Sequence, residues 1–281
     1  LRSVGDAVAF NAQFVAGKNL VIIGGGYIGL EVAATATQKG VRVTVLEAQP
    51  RVLARVTAPE LSAFYETVHR KRGVDVRTGV MLKAIERDAV VLADGTRVPA
   101  DAVLVGVGLA PCTELAEAAG LDVNNGIVVN AQLRTADAHI YAIGDCANHD
   151  NIFLNRRVRL ESVPNALESA RLCAAAISAK PAPATVAPWF WSDQYELKLQ
   201  MVGLSQGYDR LVLRGDPAKE SFCAFYLKDG VLIAADSVNR GPEFLLAKKW
   251  VGERARIAAQ VLADETVDLK TYKTTPNALT A

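Results

Sequence analysis

The stretch that decides the fold is "VIIGGGYIGLE", residues 21–31, in which a short apolar run meets a cluster of glycines. Three glycines follow the run directly, and a fourth comes three residues later. The spacing Gly24-x-Gly26-x-x-Gly29, placed between a strand and a helix, is typical of a dinucleotide-binding turn. There the first glycine permits the tight turn, the second lets a pyrophosphate approach the backbone, and the third lets helix and strand pack closely.

An acidic residue at the end of the next predicted strand supports this interpretation. That strand, "VRVTVLE", ends in Glu47 at about the distance from the glycines that the fingerprint requires. A carboxylate there accepts hydrogen bonds from both hydroxyls of an adenosine ribose and repels a 2′-phosphate. Because Ala48 follows instead of an arginine, the sequence favours NAD over NADP, although Arg51 and Arg55 could still turn toward a phosphate. The alternative is a plain glycine turn beside a solvated glutamate.

The surrounding pattern predicts an α/β fold. Over residues 18–79, apolar strands alternate with helical stretches, which is typical of a parallel sheet covered by helices. Residues 80–98 indicate antiparallel strands with Asp94-Gly95 as the turn, and "ADAVLVGVGLAP" returns to a buried strand.

The second half of the chain changes character. It begins with a short helix, the predicted strands "GIVVN" and "IYAIGDC", and a helix from about Asn165. Residues 179–188 are rich in proline and alanine and indicate a linker. Beyond them the pattern predicts an α+β segment with an antiparallel sheet and a helix from Pro242.

Composition and charge exclude several classes of protein. The chain has 281 residues, a formal net charge of +1 and 51% hydrophobic residues. A near-neutral total predicts no nucleic-acid or membrane partner, and the apolar runs are too short to span a bilayer. The four cysteines lie far apart and the three histidines are scattered, which predicts neither a disulfide framework nor a metal site and favours the cytoplasm. Because the chain begins at Leu1, we expect a fragment or a processed product.

Three further stretches carry polar or aromatic groups that a cofactor needs. "IYAIGDCA" places Asp145 behind a glycine, where its carboxylate reaches a polyhydroxyl chain or simply caps a turn. In "ESVPNALESA", Pro164 and Asn165 predict a helix start whose cap Glu168 completes. A helix start beside a flavin would stabilise the anionic reduced ring, whereas the plain alternative is a well-capped surface helix. "PWFWSDQY" contains two tryptophans among polar residues. They could lie next to a cofactor, or they could be anchors of a core or an interface.

Six motifs in this order resemble the NADH-dependent ferredoxin reductases of bacterial oxygenase systems, within the glutathione-reductase-like FAD/NAD flavoproteins. They are "GGGYIGLE", "VTVLEAQPRVLARV", "GVGLAPCTELAEAAGL", "YAIGDCA", "ESVPNALESA" and "PWFWSDQY". The resemblance implies a Rossmann-like NAD domain with an antiparallel insert, part of an FAD domain, and a C-terminal α+β interface domain. The implied bounds are 1–17 for a linker or helix, 18–125 for the NAD domain, 126–188 for the C-terminal part of the FAD domain and 189–281 for the interface domain.

The resemblance also implies which residues bind the cofactors. On the NAD side they are Gly24, Gly25, Gly26, Tyr27, Ile28, Gly29, Glu31, Glu47 and Gly108. Among these, the fingerprint glycines hold the pyrophosphate and Glu47 the adenine ribose. Ile28 and Glu31 lie near the nicotinamide end, with Gly108 beside it.

On the flavin side, the resemblance implies four contacts. Asp145 binds the ribityl chain, Val163 and Pro164 lie beside the isoalloxazine, and Trp191 lies near its pyrimidine end. The chain departs from the family in one respect, because relatives carry another G-x-G-x-x-G upstream for the adenosine diphosphate of FAD. We therefore expect this chain to bind FAD weakly or not at all. Arg157, where some relatives carry an aromatic residue, also puts flavin-side contacts there in doubt.

The implied activity is electron transfer from NADH through FAD to a ferredoxin or rubredoxin that serves an oxygenase. It needs no catalytic side chain and no metal, because the cofactors carry the chemistry. An acidic redoxin needs a basic docking face. The candidates for it are Arg156, Arg157, Arg159, Arg171, Lys248 and Lys249, each of which could equally be a solvated surface charge.

Two alternatives stay open from the sequence. One is an NADH oxidase, a peroxidase or a disulfide reductase of the same superfamily, although the last 40 residues lack the histidine that such disulfide reductases place near the C-terminus. The other is a non-catalytic NAD-binding module. The sequence leaves the oligomeric state open.

Overall fold

The computed structural model describes residues 1, 3–153 and 156–274, which form two compact units. The first unit contains Leu1–Gly108 and Ser192–Leu199, and the second contains Leu109–Trp191 and the described chain from Gln200 onward. None of the helices in these described ranges has the length and apolar character needed to cross a bilayer.

The first unit is built on a parallel sheet. Its elements in chain order are α1 (Val4–Asn11), β1 (Asn19–Ile23), α2 (Tyr27–Gln38), β2 (Arg42–Glu47), α3 (Pro59–Lys71), β3 (Asp75–Thr78), β4 (Leu82–Ile85), β5 (Ala89–Leu92), β6 (Arg97–Pro99) and β7 (Ala102–Val105). Four of the strands pair in parallel in the order β3-β2-β1-β7. The last four residues of β1 are buried, as expected for the apolar strand of a sheet that is covered on both faces.

The predicted antiparallel insert is present in this unit. Strands β4, β5 and β6 form a sheet of their own. The carboxylate of Asp94 accepts the Thr96 amide at 2.8 Å and Gly95 has φ +88°, which confirms the predicted turn. Val90 of the insert packs in one buried cluster with Val21 of β1, so the insert shares the core of the parallel sheet.

The second unit begins with short elements. They are α4 (Glu114–Ala118), β8 (Ile127–Val128), β9 (Ala147–Asn151), β10 (Arg156–Val158) and α5 (Val163–Ile177). Strands β8, β9 and β10 form one sheet in the order β10-β9-β8. Residues 181–188 form neither helix nor strand, in agreement with the predicted linker.

Two predictions in this region are wrong. The stretch "IYAIGDC" is not a buried strand, because Ile140 and Ile143 are 38% and 40% exposed and parallel pairing with β8 begins only at Ala147. Helix α5 is not capped by Glu168. Its N-cap is Ser162, whose hydroxyl accepts the amide of Asn165, since the N-cap side chain reaches the free amides of the first turn most directly.

A five-stranded sheet follows the linker. The elements there are β11 (Trp189–Gln194), β12 (Leu197–Gly203), β13 (Arg210–Asp216), β14 (Ser221–Lys228), β15 (Val231–Val238), α6 (Gly241–Gly252) and α7 (Ala259–Ala263). The strand order is β11-β12-β15-β14-β13, and β14 is antiparallel to both of its neighbours. Phe225, Leu232 and Trp250 belong to the core of this region, which joins the sheet to α6. The predicted α+β segment and the helix near Pro242 are therefore confirmed.

The close contact between β1 and α2 yields a stability prediction. A Cβ on Gly29 would lie 2.2 Å from the carbonyl oxygen of Gly24. We expect Gly29→Ala to lower the free energy of unfolding by about 1–3 kcal/mol, because the overlap outweighs the better helix propensity of alanine. Urea denaturation measures this.

The matched control is Gly252→Ala at the end of α6, where a Cβ meets nothing within 4 Å. We expect that variant to be neutral or more stable by up to about 1 kcal/mol. Equal effects of the two substitutions would show that the close contact does not limit residue 29.

Candidate functional site

The turn after β1 admits only glycine at its first position. Gly24 has φ +108°, and a Cβ there would lie 2.3 Å from the carbonyl oxygen of Gly106. Its amide donates to the carbonyl of Leu46 at 2.8 Å. The carboxyl ends of β1, β2 and β7 therefore meet around a turn without side chains.

The third residue of the turn leaves open space. Gly26 is the N-cap of α2, and a Cβ built on it meets nothing within 4 Å, so a side chain would occupy solvent beside the helix start. Within the described chain no side chain caps this helix. Amides of a first helical turn lack intrahelical partners and attract phosphate. The space fits a pyrophosphate, with Tyr27 and Ile28 as the first helical residues and the Ile28 side chain 50% exposed.

Gly25 has a role that the sequence does not reveal. Its amide donates to Oε2 of Glu47 at 2.7 Å, and the Gln49 amide donates to Oε1 at 2.7 Å. A Cβ on Gly25 would lie 2.9 Å from Cγ1 of Val52. Two backbone amides thus fix the carboxylate, and each of its oxygens keeps a further lone pair for a ribose hydroxyl.

The loop after β2 closes over the same turn. The amide of Leu53 donates to the Gly25 carbonyl at 2.9 Å, and Leu53 adopts φ +54°, which is uncommon for a residue other than glycine. The Arg51 guanidinium donates to the carbonyl of Thr57 at 2.9 Å and to the hydroxyl of Ser62 at 2.6 Å. Arg51 therefore holds the loop together and is not free to turn toward a phosphate.

Arg55 is placed differently. Its side chain is exposed, and Nη1 lies 4.0 Å from the position that a Cβ on Gly108 would take. Gly108 has φ +123° and follows β7. The structure thus brings Gly108 and a cationic side chain together at the carboxyl edge of the sheet.

Glu31 lies one helical turn after Tyr27 and is half-buried. Oε1 accepts the hydroxyl of Ser192 at 2.6 Å. Burial raises the pKa of Glu31, and the nearby Asp193 adds to this, while the Ser192 hydrogen bond opposes it. Among the described residues, Oε2 of Glu31 has no hydrogen-bond partner in the protein.

Sequence reasoning missed a buried polar group next to this carboxylate. Ser192 and Gln194 alternate with exposed residues along β11, so both side chains point to the same buried side. Gln194 contacts the fully buried His69 of α3, and Tyr195 contacts the other ring nitrogen. Burial lowers the pKa of His69 and raises the pKa of Tyr195 to about 12. The signal in the sequence is the polar pair at i and i+2 within an otherwise aromatic strand.

The predicted flavin residues lie in the second unit. Asp145 is exposed and stands in a short 3-10 turn, Gly144–Cys146, whose first amide donates to the hydroxyl of Ser169 on α5 at 2.9 Å. Val163 and Pro164 open α5, and the Val163 side chain is 59% exposed. The structure thus brings the Asp145 turn against α5.

Trp191 lies in an aromatic group on β11. Its ring centroid is 5.7 Å from that of Trp189 and 6.4 Å from that of Phe190, and Trp191 is 38% exposed. An exposed carboxylate, the positive end of a helix dipole and a partly exposed indole suit the isoalloxazine and ribityl part of a flavin. The chain carries one G-x-G-x-x-G, so the fit does not extend to a second adenosine diphosphate.

Comparison with known proteins identifies the family. Residues 1–170 match the pyridine nucleotide-disulphide oxidoreductase family, and residues 189–273 match the reductase C-terminal family. The chain belongs to the pyridine nucleotide-disulphide oxidoreductases. The chain is 50% identical over 277 residues to putidaredoxin reductase CamA of Pseudomonas putida, covering 96% of this chain and 66% of the relative. It is 46% identical to the 5,5'-dehydrodivanillate O-demethylase ferredoxin reductase subunit of a Sphingobium species, covering 96% and 67%.

Solved structures agree with this assignment. The covalent putidaredoxin reductase–putidaredoxin complex matches the structure with a TM-score of 0.94 at 50% identity, covering 96% of this chain and 66% of that chain. The ferredoxin reductase for the CYP199A2 system of Rhodopseudomonas palustris matches with a TM-score of 0.92 at 42% identity, covering 96% and 68%. The chain thus spans about two thirds of the length of these relatives. The resemblance and the fold class are confirmed, whereas the domain bounds and the cofactor residues stay predictions.

The six cations that the sequence suggests for a docking face differ in their surroundings. Arg159 donates to the carbonyl of Asp145 at 3.0 Å and pairs with Glu161, with 9% of its side chain exposed. Arg157 donates to the Asn148 carbonyl at 2.7 Å. These two arginines have structural roles, so the expectation that they form a docking face is not supported.

The four other candidate cations have different surroundings. The side chains of Arg171 and Lys249 are 72% and 65% exposed, and they lie 3.8 Å from Glu168 of α5 and 3.9 Å from Glu253, the C-cap of α6, respectively. Lys248 lies 4.3 Å from the centre of the Trp189 ring, and burial lowers its pKa. Arg156 donates to the amide oxygen of Gln206.

The buried His69 predicts how the stability of the protein depends on pH. The pKa of His69 is lowered below its ordinary value of 6.5, so the unfolded chain binds this proton more readily than the folded chain. We expect His69 to make the free energy of unfolding fall as pH drops below about 6.5, by at most about 1.4 kcal/mol per pH unit. Urea denaturation of wild type and His69→Gln between about pH 5 and pH 7.5 measures this.

The raised pKa of Glu31 gives a slope of opposite sign, but it is present in both proteins and cancels in the comparison. The control is His139→Gln, which replaces an exposed histidine. Identical slopes in wild type and His69→Gln would contradict the prediction.

Proposed function

We propose that this chain forms the NAD-binding and redoxin-docking part of an NADH-dependent ferredoxin or rubredoxin reductase, an FAD protein that supplies an oxygenase. The observation that carries the proposal is the turn in which Gly24 and Gly26 leave space at the start of α2 while Gly25 fixes Glu47. Support also comes from relatives whose names give ferredoxin reductase activity.

In this proposal the first unit binds and orients the nicotinamide cofactor. Gly24 and Gly26 keep the approach to the helix amides free of side chains, and the helix start favours the negative pyrophosphate. Glu47 accepts from the adenine ribose and excludes a 2′-phosphate, because its carboxylate is already fixed by two amides. Since Arg51 is committed to the loop, NAD is preferred over NADP.

The second unit holds groups for the flavin end. FAD, when bound, supplies the exchange between two-electron hydride chemistry and one-electron transfer. Asp145 would accept from ribityl hydroxyls, and the start of α5 would stabilise negative charge on the pyrimidine edge. Val163 and Trp191 would cover the ring and exclude water. The adenosine diphosphate half of FAD needs a phosphate-binding turn of its own, which the single G-x-G-x-x-G of this chain does not supply.

The surface of the second unit suits an acidic electron carrier. Arg171 and Lys249 are exposed cations, and Leu245 on α6 is 67% exposed. Exposed cations attract an acidic partner and raise the rate at which the complex forms. A cytoplasmic location fits the four free cysteines, which are typical of a reducing compartment.

Substitution of Gly26 tests the NAD site directly. We expect Gly26→Ala to weaken NADH binding by at least about tenfold, because the methyl group occupies the space for the pyrophosphate. Stability should change by less than about 1 kcal/mol, since the Cβ touches no protein atom. Titration of tryptophan fluorescence with NADH measures the affinity, with Gly252→Ala as the control. If Gly26→Ala leaves the NADH affinity unchanged, the turn is not part of the NAD site.

Charge reversal tests the docking surface. In the FAD-loaded full-length protein, we expect Arg171→Glu to raise the KM for the redoxin several-fold while reduction of an artificial dye is unchanged, because only the redoxin needs the charge. Arg87→Glu is the matched control, since Arg87 is an exposed arginine of the first unit. Equal losses with redoxin and dye would contradict the docking role.

A further inference from the structure

Five side chains of the first unit form one continuous hydrogen-bonded chain. The Tyr195 hydroxyl lies 3.1 Å from Nδ1 of His69, and Nε2 of His69 lies 2.9 Å from Oε1 of Gln194. Nε2 of Gln194 donates to the Ser192 hydroxyl at 3.1 Å, and that hydroxyl donates to Oε1 of Glu31 at 2.6 Å. The side chains come from α2, α3 and the β11 hairpin.

The direction of the hydrogen bonds is fixed at Gln194. Its amide nitrogen donates to Ser192, so its oxygen faces His69 and can only accept. His69 must therefore carry its proton on Nε2, which leaves Nδ1 to accept from the Tyr195 hydroxyl. Every donor then points toward the carboxylate of Glu31, and bonds aligned in this way polarise one another.

Burial and charge keep this arrangement in one state. His69 and Gln194 are fully buried and Ser192 is 1% exposed. The charged groups next to the chain are Asp193 beside Glu31, and Arg72, whose guanidinium lies 4.6 Å from the centre of the Tyr195 ring and pairs with Glu196. Gln194 requires a proton on Nε2, and burial together with Arg72 lowers the pKa of His69, which favours the neutral ring with Nδ1 free to accept.

The hydrogen-bonded series of side chains ends at the carboxylate of Glu31. A hydrogen-bonded group that served only to attach residues 192–199 would not need to end on a half-buried acid. Glu31 is held through Oε1, and Oε2 has no hydrogen-bond partner among the described residues. A carboxylate fixed through one oxygen can accept an N–H or O–H group at the other without losing side-chain entropy on binding.

We propose that Ser192, Gln194, His69 and Tyr195 are positioning residues that hold Glu31 as a preoriented acceptor for the nicotinamide half of the bound dinucleotide. This inference rests on the proposed function, because it requires NADH to bind at the Gly24–Gly26 turn. Glu31 and Tyr27 lie four residues apart on one face of α2, so the acceptor stands one turn from the pyrophosphate position.

The test compares two ligands, NADH and ADP-ribose, which share the adenosine, pyrophosphate and second ribose but differ in the nicotinamide. We expect Ser192→Ala to weaken NADH binding about five- to tenfold and to change ADP-ribose binding by less than about twofold, because the variant releases Oε1 of Glu31. Ser192→Thr, which keeps the hydroxyl, should restore most of the NADH affinity. Titration calorimetry on the whole 281-residue chain measures both ligands.

Two further variants keep the test decisive. Thr35→Ala is the matched control. The Thr35 hydroxyl donates to the backbone carbonyl of Glu31 at 3.0 Å and does not belong to the hydrogen-bonded series that ends on the Glu31 carboxylate. Tyr195→Phe removes only the distal hydroxyl and keeps the ring beside Arg72, so it tests the inference even if Ser192→Ala does not fold. We expect a smaller loss, of about twofold, that again affects NADH and not ADP-ribose.

The outcomes separate the inference from the function on which it rests. If Ser192→Ala weakens the binding of NADH and of ADP-ribose equally, the hydrogen-bonded side chains serve only to attach the hairpin. If NADH binding is unchanged in both Ser192→Ala and Tyr195→Phe, Glu31 needs no positioning. Either result overturns the inference while the NAD site stands. If wild-type chain binds neither ligand, the proposed function fails and the inference fails with it.

Discussion

The structure of the first unit depends on one approach between backbones. The carbonyl of Gly106 lies so near Gly24 that no side chain fits between them, and the carbonyl of Gly24 lies equally near Gly29. These two contacts join the end of β1 to the chain after β7 on one side and to α2 on the other. The amides at the start of α2 are consequently held at the carboxyl edge of the sheet, where parallel α/β sheets bind ligands.

Two carboxylates near this edge are fixed by different means. Glu47 is held by the amides of Gly25 and Gln49, so its position follows from the backbone of the turn itself. Glu31 is held by Ser192, a side chain from far along the sequence. A contact between backbone and side chain within one βα unit survives most substitutions elsewhere, whereas a contact that depends on a distant hairpin changes with the packing of that hairpin.

Much of the fold could be predicted because its signals are local. The strands around Val21 and Val45 are apolar runs bounded by glycines or charges, and the Asp94-Gly95 turn has its own chemistry. Such signals need no knowledge of distant partners. The prediction of a buried strand over "IYAIGDC" is wrong, because an apolar run forms a strand only where a neighbouring strand is available. In this structure pairing with β8 begins at Ala147.

The site was predictable to a similar degree. The positions of Gly24, Gly26 and Glu47 at one turn follow from their spacing in the sequence. The hydrogen bonds of Arg51 to Thr57 and Ser62 do not, because the sequence around an arginine does not show whether its side chain is free or already bonded. The hydrogen-bonded side chains around His69 join residues more than a hundred positions apart, and no rule of sequence spacing covers such a distance.

The turn between β11 and β12 has a consequence for dividing the polypeptide into smaller parts. A polypeptide cut after Gly108 would keep every glycine of the fingerprint but lose Gln194 and Tyr195, so the imidazole of His69 would face solvent or an empty space with both nitrogens unsatisfied. The first compact unit is therefore discontinuous in sequence, and isolating it requires attaching residues 192–199 to it or replacing His69 with an apolar side chain.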